Sequence, residues 1–471
     1  MKVVPMAMIA ALAGALLPGR AHGQDATDTS YENYYAAAAD PADRSPSDSP
    51  RPVAESAAPK ADAGSCGCNS CGNDCCNSCN NCCDDDRWPC CEHDEAWTLF
   101  DNDPCSQFRI NGWLSQGYTY NPDEPADRFN GPVTFNDRAN EYQMNQLYLY
   151  AERSVDTKGC GWDFGGRVDL LYGTDSRFTL AQGLDAQDDL SPRWGSGRFY
   201  GLAMPQAYGE VGYNDLKVKV GHFYTIIGYE VVPATGNFFY SHAYTHQYGE
   251  PFTHTGVLAS WAGNDRVTLY GGVTRGWDNF EDLNDEEAIL LGVTITDECK
   301  TESLSFALHN GDEANFFNAA NANRYVQSVV YTNNLTDETK LVLESDYGFQ
   351  DGILGAPDAE WYGINSYLLK TINQCWSWGI RAEWFRDDDG TRVAPVGDFR
   401  GSNTASVGGF AGDFYEVTLG LNWKPNANLI FRPELRYDVY DGPDNGIGNQ
   451  PFDDGSQDDQ FLAAFDVILT Y

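Results

Sequence analysis

The chain has 471 residues, a formal net charge of -39 and a mean hydropathy of -0.47, and it carries 27 Tyr, 24 Phe, 12 Trp and 47 Gly against 5 Met. So acidic a chain repels nucleic acid and attracts cations. No run of about 18 apolar residues follows the N-terminal segment, which argues against a transmembrane helix, whereas aromatics and glycine on a polar average suit a membrane β-barrel with wet lumen and loops.

In chain order, residues 1–23 read as a secretory signal: Lys2, an apolar run from Val3 to Leu17, then Ala21 and Gly23 as the small residues of a cleavage site. No cysteine follows the cleavage site directly, so no lipid anchor is expected. Residues 24–64, rich in Ala, Asp, Ser and Pro, lack apolar periodicity and are expected to form a disordered linker. Residues 65–107 are a Cys-rich segment holding Cys66, Cys68, Cys71, Cys75, Cys76, Cys79, Cys82, Cys83, Cys90, Cys91 and Cys105. Spacings such as Cys68 to Cys71 resemble metal knuckles, but the secretory context, the adjacent cysteine pairs and a single nearby imidazole, His93, favour disulfides over a closed zinc site. Alternatives are a metal knuckle or an unstructured thiol-rich tether.

From Phe108 to Tyr471 the pattern changes to segments of about 10 to 13 residues bounded by turn signals. Sixteen strands are expected, beginning at Phe108, Glu141, Gly161, Ala203, Leu216, Phe252, Arg266, Glu287, Ser303, Arg324, Lys340, Glu360, Trp376, Asp413, Leu429 and Gln460. The fold class is thus all-β, a transmembrane antiparallel barrel. Short turns, such as Asn214-Asp215 and Pro425 to Asn428, alternate with longer connections, such as Thr174 to Leu202 and Tyr224 to Pro251. In outer-membrane barrels the short side is periplasmic. Cys160, Cys299 and Cys375 all fall at or beside short turns, so a Cys-rich arm on that side could staple itself to the barrel rim or to neighbouring envelope proteins.

Clean alternation assigns the two faces. In the third segment Trp162, Phe164, Val168, Leu170 and Tyr172 oppose Asp163, Arg167 and Asp169; in the fifteenth, Phe431, Leu435, Tyr437 and Val439 oppose Arg432, Glu434, Arg436 and Asp438. A charge facing lipid near midplane costs about 2–4 kcal/mol, so the charged faces must be the lumen. Asp163, Arg167, Asp169, Arg381, Glu383, Glu416, Arg432, Glu434, Arg436 and Asp438 are the expected pore lining. Pro433, lacking an N–H, predicts a local bulge. The final segment, FLAAFDVILTY, alternates to a terminal Tyr471 and resembles the signal by which the outer-membrane assembly machinery recognises clients.

The connection YTIIGYEVVPATGNFFYSHAYTHQYGEP, from Tyr224 to Pro251, is long and aromatic. Such a loop would be a sticky patch outside, so it is expected to fold inward as a constriction, with Tyr229, Glu230, Phe238, Phe239, Tyr240, His242 and His246 as its working residues. His242 and His246 have no accompanying nucleophile motif, and neither an enzyme activity nor a cofactor nor a metal ligand is assigned.

The stretch GHFYTIIGYEVVPATGNFFYSHAYTHQYGEPFTHTGVLASW, from Gly221 to Trp261, with NGWLSQGYTYNP at Asn111 and QLYLYAERSVD at Gln146, resembles the OmpL-like β-barrel porin family. The resemblance spans about Phe108 to Tyr471 and implies an outer-membrane porin of Gram-negative type, with no substrate attached to the family. The expected function is passive diffusion of small hydrophilic solutes with a preference for cations, in a chain embedded in outer-membrane lipid; a homotrimer stays open. The competing reading is a structural outer-membrane protein that anchors a disulfide-linked network through its arm.

Overall fold

The structure is a computed structural model that describes residues 96–100, 102, 106–186, 192–195, 199–282, 284–314, 321–353, 356–393, 409–444 and 449–471. The signal segment, the linker and every cysteine from Cys66 to Cys105 lie outside the described residues.

Sixteen strands make up the greater part of it: β1 (Phe108–Tyr120), β2 (Tyr142–Arg153), β3 (Trp162–Gly173), β4 (Gly201–Tyr213), β5 (Leu216–Tyr224), β6 (Thr253–Asn264), β7 (Val267–Thr274), β8 (Ala288–Thr296), β9 (Glu302–Ala314), β10 (Asn321–Thr336), β11 (Thr339–Ile353), β12 (Ala356–Thr371), β13 (Trp376–Asp387), β14 (Gly412–Asn426), β15 (Leu429–Asp441) and β16 (Asp459–Thr470). Each pairs antiparallel with its sequence neighbours, and β1 pairs with β16, so the sheet closes on itself. Closure satisfies every edge, which a strand in hydrocarbon requires. At the seam Trp113 sits opposite Thr470 and Tyr120 opposite Ala463. Gly112 and Tyr471 exchange backbone hydrogen bonds of 2.9 and 2.8 Å. A Cβ at Gly112 would strike the Tyr148 carbonyl and the Tyr471 ring, so glycine there lets the terminal aromatic lie flat across the junction.

The alternation read from the sequence is the alternation of the wall. On β3 Trp162, Phe164, Val168 and Leu170 face outward and exposed, whereas Arg167 and Asp169 are buried inside; on β15 Leu435 and Tyr437 are exposed and Arg432, Glu434, Arg436 and Asp438 buried. Val211, Val220, Val257, Leu269, Val273, Ile289, Leu291 and Leu419 continue this apolar belt. So wide an apolar surface is untenable in water and is what lipid wets. Aromatic pairs at the short-turn ends, Trp162 with Tyr213 at 4.5 Å and Trp376 with Trp423 at 5.7 Å, form part of a girdle at that rim.

Two details differ from expectation. The long-connection side is not uniformly long: only residues 315–320 separate β9 from β10, and 354–355 separate β11 from β12. There the wall itself rises instead, β10, β11 and β12 having 16, 15 and 16 residues. Pro433 makes no bulge. It faces Phe465 of β16 in unbroken register, and the β14 ladder lapses beside it between Gly420 and Trp423 without slipping; the shift falls nearer the turn, between Trp423 and Asn426. A proline removes one donor, and the pairs on either side hold the register.

Of the described cysteines, Cys160 and Cys299 are exposed free thiols in the β2–β3 and β8–β9 turns. Cys375 is buried in the β12–β13 turn.

Candidate functional site: a loop clamped across the lumen

Between β5 and β6 the segment from Thr225 to Phe252 leaves the wall and turns into the lumen. Gly228 starts the turn with φ +87°, and a Cβ there would collide with the Glu250 carboxylate. A short turn follows at Ala234–Gly236 and a π-type turn at Thr245–Gly249. Irregular backbone inside a membrane protein must find hydrogen bonds from protein or trapped water. The charged wall supplies them in both senses.

Carboxylates accept the loop's spare N–H groups. Glu434 accepts from the Tyr240 and Ser241 amides at 2.9 and 3.0 Å. Glu383 accepts from the Tyr244 and Thr245 amides and from the Thr245 hydroxyl, each at 2.7 Å. Guanidinium groups meet the loop's carbonyls. Arg432 donates to Ala234 and Asn237 at 3.0 and 2.6 Å, Arg436 to His242 at 2.5 Å, and Arg381 to Ser241 at 2.8 Å. The arginines are themselves neutralised: Arg432 by Asp466, Arg436 by Asp438, and Arg381 by Glu416 and by the loop's own Glu230. Buried charges survive only when paired in this way.

Glu230 is the loop's central acceptor. Its carboxylate takes hydrogen bonds from Arg381 at 2.6 Å, the Ala243 amide at 2.9 Å, His242 Nδ1 at 3.1 Å and the Tyr367 hydroxyl at 3.2 Å. Burial alone would raise its pKa, but Arg381 and His242 outweigh burial and hold it below the usual carboxylate range. Burial keeps His242 and His246 below the ordinary imidazole value, so both rings are neutral at pH 7.

Aromatic packing completes the clamp. Tyr229 lies 4.8 Å from Tyr367, Phe238 and Phe239 pack edge to face at 5.0 Å beside Gly379 and Gly420, and the Tyr240 hydroxyl donates to Asn145 at 2.9 Å. His242 and His246 stack at 4.7 Å, and Phe135 covers them at 4.1 and 5.8 Å.

Seven of the ten charges read as pore lining, Arg381, Glu383, Glu416, Arg432, Glu434, Arg436 and Asp438, gather where the loop meets the wall. The other three lie on β3: Arg167 pairs with Asp169 and Glu152, and Asp163 bridges Arg153 at the short-turn rim. All seven expected loop residues lie in the inward segment.

The family description "Putative beta-barrel porin-2, OmpL-like" matches residues 107–471, the whole barrel. The chain belongs to this porin family. Two solved structures share the barrel of this porin-family chain at 10% identity, each covering 77% of it. One is the outer membrane channel DcaP of Acinetobacter baumannii, 97% covered with a TM-score of 0.51. The other is an anion-selective porin from Comamonas acidovorans, 99% covered with a TM-score of 0.54. At that identity the likeness is one of fold. No curated protein matches the chain in sequence. The family and the fold together make it an outer-membrane, porin-like β-barrel.

Two features of this porin-family lumen escape the sequence reading. The β1–β2 connection also turns inward, bringing Phe135 onto the histidines, and the segment after β3 holds it through Arg177 and Asp137 at 2.9 Å. The second is a group of buried carboxylates, Glu250, Glu344 and Asp346, with no arginine or lysine ion pair among the described residues. Sequence separation hides both: Glu344 and Asp346 share one strand and look like ordinary lumen-facing acids, and Glu250 lies far from them along the chain.

Proposed function

We propose that the barrel is a diffusion channel for small hydrophilic solutes, narrowed by the inward loop and preferring cations. The observation that carries this is the clamp: the loop from Thr225 to Phe252 is fixed across the lumen by wall charges at both its N–H and C=O groups. A narrowed lumen lined by fixed charge sorts solutes by size and sign. The arginines of the clamp are each matched by a carboxylate, whereas Glu250, Glu344, Asp346, Glu383 and Glu434 have no arginine or lysine ion pair among the described residues, so the interior keeps a negative excess. The same sign holds for the whole barrel, with 52 acidic against 24 basic residues from Phe108 onward. Planar-bilayer recording with a salt gradient tests both parts: channel steps with a cation-side reversal potential are expected. A folded barrel that carries no current would refute the channel, and an anion-side potential would refute the charge argument.

One observation favours a second role. Cys375 is buried in the β12–β13 turn, at the same rim as the turns that carry Cys160 and Cys299. In this reading the Cys-rich arm lies in the periplasm and is stapled to the short-turn rim, where it links the barrel to itself or to envelope proteins. Peptide mapping without reductant is expected to recover Cys375 joined to a peptide from the arm; a free Cys375 thiol would end this reading.

A further inference from the structure

Three carboxylates from distant parts of the chain converge where the inward loop reaches the far wall. Glu250 ends the π-type turn of the loop, and Glu344 and Asp346 stand two residues apart on the lumen face of β11. All three are buried, and one oxygen of each lies within 4.8 Å of the others. Three like charges this close, out of water, are not stable on their own. Among the described residues no arginine or lysine pairs with any of them.

Their hydrogen bonding is incomplete in a way that points to a missing positive partner. Glu344 accepts from the Tyr229 amide at 2.6 Å and from Asn365 at 2.9 Å. By contrast, Glu250 Oε1 and both oxygens of Asp346 meet no hydrogen-bond donor of ordinary geometry. A neutral neighbour adds an independent sign. Ser328, 2% exposed, stands directly opposite Asp346 on β10; its hydroxyl bears on that carboxylate but outside ordinary hydrogen-bond geometry. A hydroxyl beside a carboxylate would ordinarily donate to it. With that donation loose, the hydroxyl oxygen keeps lone pairs available to a cation shared with the carboxylate.

The neighbouring group in the loop does not share this character. Glu230, His242 and His246 also lie within 4.8 Å of one another, but Glu230 already takes four hydrogen bonds, one of them from an arginine. A cation there would face Arg381. The open charge is at Glu250.

We propose that Glu250, Glu344, Asp346 and Ser328 form a site for one hard divalent cation of the Ca²⁺ class, which fastens the inward loop to β11. The donors are all oxygens, the set that hard cations take. Ca²⁺ binds at about 2.3–2.6 Å, so oxygens up to about 5 Å apart can share it, whereas Mg²⁺ at about 2.1 Å limits the spread to roughly 4.2 Å and demands a stricter octahedron. Ca²⁺ therefore fits this set with the least movement. The consequence is structural: the loop would be held by wall charges along its length and by the cation at its C-terminal end.

The test uses the purified full-length protein in detergent, stripped with a chelator and titrated with Ca²⁺ alone in a calorimeter. One bound Ca²⁺ per chain is expected, with a dissociation constant of about 10⁻⁵ to 10⁻³ M, and added Ca²⁺ should slow protease cleavage within Thr225 to Phe252. The double variant Glu344→Gln with Asp346→Asn should lose that site and the protection; its fold is checked by the heat-modifiable gel shift of an intact barrel. Ser328→Ala, which alters no charge, should weaken binding several-fold in a folded protein. Absence of Ca²⁺ binding to the wild type at 10 mM (about ten times the weakest constant above) overturns the proposal. So does binding unchanged in the double variant, which would assign it to the acidic surface, and so does binding of Zn²⁺ but not Ca²⁺ that depends on His246.

Discussion

Arg381→Met removes the residue on which the clamp turns. Arg381 has no exposed surface; it pairs with Glu416, and toward the loop it donates to Glu230 at 2.6 Å, to the Ser241 carbonyl at 2.8 Å and to the Ser241 hydroxyl at 3.0 Å. Breaking a buried pair by deleting one partner costs about 3–5 kcal/mol, because the remaining charge stays in place without its counterion. The Glu416 contact joins β13 to β14 and is indifferent to the loop, so the lower end, about 3 kcal/mol, is the share that falls on docking. At about 1.4 kcal/mol per tenfold, the undocked population should rise roughly 100-fold. Chymotrypsin reads this directly, since Phe239, Tyr240 and Tyr244 are buried and Phe238 is half-buried when the loop is docked. When opening is fast relative to cleavage, the cleavage rate follows the open fraction, so cutting within the loop should accelerate about 100-fold while the barrel keeps its folded gel mobility. A folded variant cut no faster than wild type would refute the argument that Arg381 holds the loop.

Gly228→Ala puts a methyl group against Glu250 at a positive φ, and it should undock the loop by about 1–2 kcal/mol in the same assay. Leu435→Arg sets a cation on the lipid face beside Tyr437 and should cost about 2–4 kcal/mol in urea unfolding from lipid vesicles, with a smaller loss in detergent. Asp278, in the β7–β8 connection, accepts from the Phe252 and Thr253 amides, and burial pushes its carboxyl from 3.8 up to about 7 despite those bonds. Its raised value favours the folded state below pH 4, and that contribution is lost as pH rises toward 7 and the unfolded chain alone gives up its proton. Asp278→Asn, which keeps the acceptor oxygen, should therefore flatten the fall in unfolding stability between pH 4 and 7.

What was legible in the sequence follows from how strongly a wrong placement is penalised. The faces of β3 and β15 could be read because a charge in lipid costs so much that alternation leaves one choice, and strand starts fell within four residues of those observed. The inward loop was legible only as a density of aromatics. Its partners were not, because a pattern of period two says which side of the wall Glu383 or Arg432 occupies and nothing about what waits there. Charges read as pore lining turn out to meet loop amides and carbonyls. The Glu250, Glu344 and Asp346 group had no local signal, since two of its members sit far along the chain from the third and look like any alternating strand acid. Pro433 misled for another reason: the absence of a donor was visible, whereas the strength of the pairs on both sides of it was not.

The seam between β1 and β16 bears on how the protein is made. Its partners are the first and last strands, so no stretch of emerging chain short of β16 can seal itself, and every intermediate carries two raw edges able to recruit foreign strands. Fourteen strands, β2 to β15, are then laid down in order against a gap that only β16 can fill, with Tyr471 as the latch across Gly112. A chain lacking β16 should aggregate or be degraded rather than settle as a narrower barrel, which makes the delivery of that strand, more than the pairing of any other, the committing step of biogenesis.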